Sequence, residues 1–273
     1  MEKSDGTAVL QEPDEASVAA PPHKRRITRW HAAGAHLLIS ALVAAGVLAL
    51  MLALWYPPPL FTAMGGAGLA FIVIGVDVVM GPALTLVVFK SGKKGLKFDL
   101  TVIGVLQLAA LAYGCHIVEL ARPGFLVFVK DQFEVCTVAD LEPERLAEAR
   151  FPQFRNPSWS GPVLAYGEWP TEYADQRRTF LATLAGWDLH HFPKYYAPYE
   201  SGRAEILRRA QPLAEVRKEE PAVGALIDAW LKESGADEQK LLYLRMRARR
   251  AWVAVLVDRQ SAQPVKMLVA EKY

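Results

Sequence analysis

Long apolar runs dominate the first part of the chain, and shorter runs of alternating apolar and polar residues follow. A helix needs about 20 mostly apolar residues to cross the roughly 30 Å hydrocarbon core of a membrane. Three runs meet this requirement: Leu37–Trp55, Ala67–Phe89 and Leu100–Val118. The first is longer than the apolar part of a usual signal peptide and lacks a convincing cleavage motif, so we interpret it as a retained anchor.

After Val118 the pattern predicts a small α+β domain. The predicted strands are Phe125–Lys130, Phe133–Val138, Val163–Tyr166, Leu241–Met246, Trp252–Asp258 and Val265–Glu271. The predicted helices are Leu141–Arg150 with Asp140 as its N-cap, Thr171–Ala185, Glu200–Ala214 and Val223–Ser234, and Gly186–Pro198 is rich in turn formers. The first two strands and the last two should form hairpins. The predicted fold is therefore three transmembrane α-helices followed by a small α+β extracytoplasmic domain.

Basic residues give this membrane protein a predicted orientation. Lys and Arg cluster over residues 24–29 and again over Lys90–Lys97, whereas Tyr56–Gly66 has no charge. Because basic flanks stay in the cytoplasm, we expect the N-terminus inside and the domain after Val118 outside. In a Gram-negative host, the domain would lie in the periplasm and the helices in the inner membrane.

The chain accordingly divides into three predicted parts. Residues 1–28 form a disordered, basic-ended cytoplasmic extension, residues 29–118 the three-helix transmembrane region and residues 119–273 the outer domain. Trp55 and Tyr56 fit an outer interfacial aromatic belt, and Trp30 fits an inner one.

Charge and cysteine content exclude several classes of protein. Glu119 to Tyr273 contains 22 basic and 22 acidic residues, and the whole chain has a formal net charge of +2. This distribution, with the apolar runs, excludes a wholly soluble protein or a disordered chain, and no long basic face predicts a nucleic-acid partner. The chain has two cysteines, which excludes a disulfide scaffold. A bridge between Cys115 and Cys136 and two lone thiols are both open alternatives.

The residues of the outer domain do not predict catalytic or metal chemistry. His190 and His191 lie beside Asp188, but adjacent histidines on one strand or loop should point apart, and a third spaced ligand is missing. We therefore predict no catalytic residue, no metal site and no cofactor.

The second apolar run contains an acidic residue at its centre. A carboxylate there is costly, so Asp77 must face protein or water. Asp77, Gly81 and Thr85 recur every four residues and share a helix face, and Pro82 predicts a kink. Counting helical rise from the cytoplasmic ends places Gln107 of the third helix opposite Gly81. These residues could form an ion or proton site, join helices within the bundle, or dock another membrane helix.

An aromatic and proline-rich cluster marks the outer domain. It consists of Pro193, Tyr195, Tyr196, Pro198 and Tyr199. Rigid aromatic side chains between prolines make a good protein-contact surface, and core packing is the equal alternative.

Several motifs resemble those of the type IV pilin accessory family (TfpX/TfpZ). They are WYPPP at Trp55–Pro59, GVDVVMGPALTLVVF at Gly75–Phe89, LKFDL at Leu96–Leu100, QLAALAYG at Gln107–Gly114, ARP at Ala121–Pro123 and FPKYYAPY at Phe192–Tyr199. The resemblance implies a non-enzymatic inner-membrane protein that binds type IV pilin, together with other pilus-assembly proteins and the lipid bilayer. The Asp77 face would then pack within the bundle or against the pilin helix, and the aromatic loops would contact the pilin head.

Two other functions compete with this one. The runner-up is a membrane-anchored assembly factor or sensor of another envelope system. The third is a small ion or proton transporter that uses Asp77.

Overall fold

The computed structural model describes residues 28–272, with side chains up to residue 270. The predicted extension, residues 1–28, lies outside this range apart from Thr28, whose hydroxyl accepts a hydrogen bond from the His31 amide at the start of the first helix. Within the described range, three helices are long and apolar enough to cross a membrane, as predicted: α1 (Arg29–Trp55), α3 (Gly66–Val88) and α4 (Leu96–Leu120). A four-residue helix, α2 (Leu60–Ala63), lies between α1 and α3.

The second long helix is the central one. Helix α3 packs against both α1 and α4. Part of α3, Val76–Met80, is a π-helical turn that ends shortly before Pro82. Proline has no N–H to donate and disturbs the regular helical bonding. At the place where Pro82 predicts a kink, the structure has this π-helical turn.

The outer domain is built on a mixed sheet. Over the described residues, the sheet has seven strands in the order β4-β3-β1-β2-β5-β6-β7. Their bounds are β1 (Pro123–Val129), β2 (Gln132–Thr137), β3 (Val163–Gly167), β4 (Tyr196–Pro198), β5 (Leu241–Arg247), β6 (Ala251–Asp258) and β7 (Pro264–Lys272). Strand pairs β1–β3 and β2–β5 are parallel, and the other neighbours are antiparallel. Every predicted strand is confirmed, and β4 is an addition.

Five helices accompany the sheet along the described chain. They are α5 (Pro143–Ala147), α6 (Tyr173–Leu184), α7 (Arg203–Arg209), α8 (Leu213–Glu219) and α9 (Pro221–Ser234). The predicted helix Glu200–Ala214 is wrong as one element. It is interrupted where the Gln211 backbone exchanges two hydrogen bonds of 2.8 Å with Tyr243 of β5, next to Pro212.

The predicted N-cap is also corrected. Asp140 does not cap α5, which begins after Glu142. Its carboxylate instead accepts hydrogen bonds from the backbone N–H and the hydroxyl of Thr137, at 2.9 and 2.6 Å. These bonds stabilise the short turn Val138–Asp140 that ends the hairpin.

Both faces of the sheet are covered, which explains why β1 is a nearly continuous apolar run. One face forms the main core, where Phe128 of β1 packs with Phe133, Leu244 and Val255. On the opposite face, Phe125 belongs to a second cluster beside α5. A third cluster on that opposite face lies between β5, β6 and the helices α8 and α9.

The segment between α1 and α3 is part of the main core. Met51, Trp55, Tyr56 and Leu60 belong to the same buried cluster as Phe128. The chain from the end of α1 to the start of α3 is therefore packed beneath the sheet of the outer domain. The bundle and the outer domain share one hydrophobic core.

Directed bonds join the same segment to α4 and to the outer domain. The Tyr56 hydroxyl donates to the Val118 carbonyl at 2.9 Å. The Gly161 amide donates to the Leu54 carbonyl at 2.6 Å, and the Arg250 amide donates to the Ala63 carbonyl at 2.8 Å. The last two bonds come from the loops before β3 and between β5 and β6, so they fix the position of the bundle relative to the sheet.

The predicted outer aromatic belt is therefore wrong. Tyr56 is fully buried, and Trp55 is buried with its ring edge-on to Trp159 at a centroid distance of 5.5 Å. Both rings pack against protein, because the main core beneath the sheet gives them an apolar environment. Trp30 is exposed, as an inner belt requires, and its place in a membrane stays a prediction.

We expect Tyr56→Phe to lower the free energy of unfolding by about 1–3 kcal/mol, because it leaves a buried carbonyl without its donor. Thermal unfolding in detergent, followed by near-UV circular dichroism, measures this effect. Tyr113→Phe is the control, since Tyr113 is an exposed tyrosine of α4. Equal melting temperatures for the two variants would contradict the role given to the Tyr56 hydroxyl.

Candidate functional site

The Asp77 face of α3 lies inside the helix bundle. Asp77 is 6% exposed and Thr85 is 2% exposed. The four-residue spacing keeps Asp77, Gly81 and Thr85 on one side of the helix. Because α1 and α4 flank α3, this side is covered by protein.

A histidine of α1 provides one contact to this face. His36 Nδ1 lies 2.6 Å from Thr85 Oγ1, within hydrogen-bond distance. Sequence reasoning missed His36 because it precedes the first apolar run by one residue. A polar residue next to a membrane span was the available signal, since such groups usually find partners among neighbouring helices.

A glutamine of α4 provides the second contact, at the predicted place. A side chain on Gly81 would overlap the Gln107 amide, so the glycine is what lets α4 approach α3 here. Gln107 Nε2 donates to the Asp77 main-chain carbonyl at 3.4 Å. The bond therefore involves the Asp77 backbone and not its carboxylate.

Two oxygens in this polar cluster have no hydrogen-bond partner in the described part of the chain. They are Asp77 Oδ1 and Gln107 Oε1, and both are buried. Unpaired polar atoms in an apolar interior cost free energy. His36 and Gln107 cover the Asp77 face, so in the described structure this face lies between helices of the bundle.

The aromatic cluster of the outer domain is buried as well. The Tyr196 ring is fully buried beside Phe125, and its hydroxyl donates to the His190 carbonyl. The Tyr199 hydroxyl donates to the Ala262 carbonyl at 2.7 Å. Tyr195 and Pro193 are also buried, and Pro198 is half-buried in β4. The contact-surface interpretation of these residues is wrong, because their rings fill the domain core.

The two adjacent histidines also differ from expectation. Their ring centroids are 3.9 Å apart, so the side chains contact each other. Burial, together with the neighbouring His191, lowers the pKa of His190 to about 3, and the ring is therefore neutral at physiological pH. Among the described residues, no group of three His, Cys, Asp or Glu side chains could hold a metal ion.

Both cysteines are free thiols. Cys136 is buried and Cys115 is half-buried in α4. Burial and the nearby Asp140 carboxylate raise the pKa of Cys136 to about 12, so its thiol stays protonated. Of the two alternatives, the structure has the two lone thiols.

We expect Thr85→Val to lower the free energy of unfolding in detergent by about 0.6 kcal/mol, the average for interhelical hydrogen bonds in a membrane protein, and by at most about 1.7 kcal/mol. The variant keeps the side-chain shape and removes the His36 contact. Thr101→Val is the control, because Thr101 is an exposed threonine of α4. A Thr85 variant as stable as the Thr101 variant would contradict the contribution of the His36–Thr85 pair.

Comparison with known proteins places the chain in a family. The model of the family described as fimbrial assembly protein FimB matches residues 24–65, which include α1 and the segment that enters the outer-domain core. No solved structure matches the chain.

Relatives from Dichelobacter nodosus match over a longer part of the chain. The fimbrial assembly protein of serogroup I is 34% identical over 187 residues, which are 67% of this chain and 71% of the relative. The protein of serogroup E1 is 33% identical over 187 residues, with the same coverage. The protein of serogroups C1 and C2 is 36% identical over 119 residues, which are 42% of this chain and 90% of the relative.

These matches support the coarser part of the resemblance, a role in fimbrial assembly, while the TfpX/TfpZ name stays a prediction. The match to the serogroup I protein covers 67% of this chain and 71% of the relative. It is longer than half of the chain and therefore includes residues from both the N-terminal and the C-terminal half. With its three apolar helices and mixed α+β domain, the chain belongs to the fimbrial assembly protein family.

Proposed function

We propose that this membrane protein is an inner-membrane accessory protein that binds type IV pilin and assists pilin stability, assembly or surface display in a chaperone-like way. Its N-terminus would be cytoplasmic and residues 119–273 periplasmic. Membership of the fimbrial assembly family and the names of the relatives support this role. Those names describe assembly and not a reaction, so we propose a non-enzymatic role.

The shared core between bundle and outer domain is the observation that carries the proposal. A fimbrial subunit held in a membrane by one helix would have its folded head outside. Tyr56 and Leu60 lie in the core of the outer domain, so the bundle and the outer domain form one rigid unit. This unit would bind the membrane helix and the head of such a client at a fixed relative position. A flexible linker between the two parts would not fix this geometry.

The client helix would contact the lipid-facing sides of the bundle and not the Asp77 face. Apolar side chains cover those sides, among them Phe71, Val79 and Val87 of α3. Helix association in a membrane depends on close packing of such surfaces. Other pilus-assembly proteins could use the remaining lipid-facing sides.

We expect pilin to copurify with the full-length chain after crosslinking in cells and extraction in mild detergent. Mass spectrometry of the bound proteins would show pilin enriched over a control purification with an unrelated three-helix membrane protein at equal level. Lack of enrichment from cells that make pili would contradict stable pilin binding.

Topology gives a separate test of the periplasmic placement. We expect alkaline phosphatase to be active when fused after Tyr273 and inactive when fused at Lys94, because the enzyme folds only outside the cytoplasm. The two fusions should be compared at equal protein level. The opposite pattern would place the outer domain in the cytoplasm, away from a pilin head.

The transporter alternative makes a different prediction for Asp77. We expect Asp77→Asn to leave pilus production unchanged, because Gln107 bonds to the main-chain carbonyl, which the variant keeps. Pili are counted by electron microscopy in cells with equal amounts of each chain. Loss of pili with normal protein level and normal pilin binding would favour proton or ion movement through Asp77.

A further inference from the structure

Helix α6 exposes its apolar residues, in contrast to α7, α8 and α9, each of which buries at least one. Within its 12 residues, Thr179 is the one buried side chain. Tyr173 is 80% exposed, Phe180 61%, Leu181 55% and Leu184 72%. An ordinary surface helix buries such residues and exposes its polar ones.

A neighbouring helix shows the usual arrangement. Helix α9 buries Val223 and Ile227 against the sheet and exposes Lys232. In α6 the apolar side chains Tyr173, Phe180 and Leu184 are spaced seven and four residues apart, and therefore lie along one side of the helix. A clustered apolar patch on a folded domain indicates a binding surface.

The position of α6 argues against the host bilayer as the partner of this patch. Strand β1 starts at Pro123, three residues after α4 ends, and the turn at Lys130 lies at its other end. Trp169, which precedes α6, and Asp188, which follows it, both contact Lys130, at 5.7 Å to the ring centroid and 3.7 Å between charged atoms. Helix α6 is thus tethered at the end of β1 opposite to the one that follows α4.

The charges of α6 argue against a second copy of this chain. Arg177 and Arg178 lie at the middle of the helix. In a two-fold dimer formed through α6, the middle of the helix would face its own copy, and like charges would meet. Within the described residues, neither arginine forms an ion pair, so both can meet carboxylates of a different protein.

We propose that Trp169, Tyr173, Phe180, Leu181 and Leu184, with the adjacent Arg177, form a docking surface, the α6 surface, for the folded extramembrane domain of the fimbrial subunit. The matching surface on that domain is an apolar patch with neighbouring carboxylates. This inference rests on the proposed function for the identity of the partner. What the inference adds is the surface of this chain, at α6, that binds the extramembrane domain of the partner.

The test uses the full-length chain with both Phe180→Gln and Leu184→Gln in cells that make pilin. Both side chains are exposed, so the variant should keep its abundance and its melting temperature. We expect pilin recovery after crosslinking to fall about tenfold or more, as loss of a central apolar contact does in protein interfaces. Val265→Gln is the control, since Val265 is an exposed apolar residue of β7 in the same domain, and should keep wild-type recovery.

Arg177→Glu tests the carboxylates proposed on the partner. The variant should also reduce pilin recovery, because its own carboxylate would repel them. A photo-crosslinking amino acid at position 180 should form an adduct with the extramembrane domain of pilin. The same group at position 265 should not.

Wild-type pilin recovery by the Phe180/Leu184 variant would overturn the α6 surface and leave the proposed function intact. Adducts at position 180 with lipid or with a second copy of the chain would also overturn it. If the unmodified chain recovers no pilin at all, the proposed function fails, and the inference about its docking surface fails with it.

Discussion

The main hydrophobic core cannot be completed by the outer domain alone. The end of α1 and the segment after it supply Met51, Trp55, Tyr56 and Leu60 to the core beneath the sheet. Large aromatic side chains contribute much of the apolar area that such a core buries. The outer domain therefore depends on the membrane helices for its stability, although more than fifty residues separate Tyr56 from β1.

The bundle depends on contacts along the whole length of α3. Near the outer domain, Ala70 and Val73 of α3 join the main core. Deeper in the bundle, α3 is held by the His36 contact to Thr85 and by the approach of Gln107 over Gly81. A helix fixed by apolar packing at one end and by polar contacts further along keeps a defined position in the bundle, as the proposed binding of a client would require.

Periodicity predicted the elements whose pattern extends over many residues. The three membrane helices, the β1–β2 hairpin and the final strands were all found from sequence, and helical rise placed Gln107 opposite Gly81 because helices are rigid. Strand β4 could not be found, since three residues that include Pro198 show no alternation. The place where Trp55 and Tyr56 pack depends on a sheet whose residues lie far away in the sequence. An interfacial belt and a buried core require the same residue types, and only the tertiary structure separates the two.

Hydrogen exchange measured by mass spectrometry in nanodiscs tests the shared core most directly. The Gly161 amide lies in an irregular segment, and its bond to Leu54 exists only if the outer domain is docked on α1. We expect this amide to be protected as strongly as the amides of β1, and far more than that of the exposed loop residue Gly92. Exchange at Gly161 as fast as at Gly92, with β1 still protected, would mean that the bundle and the outer domain move independently and would contradict the shared core.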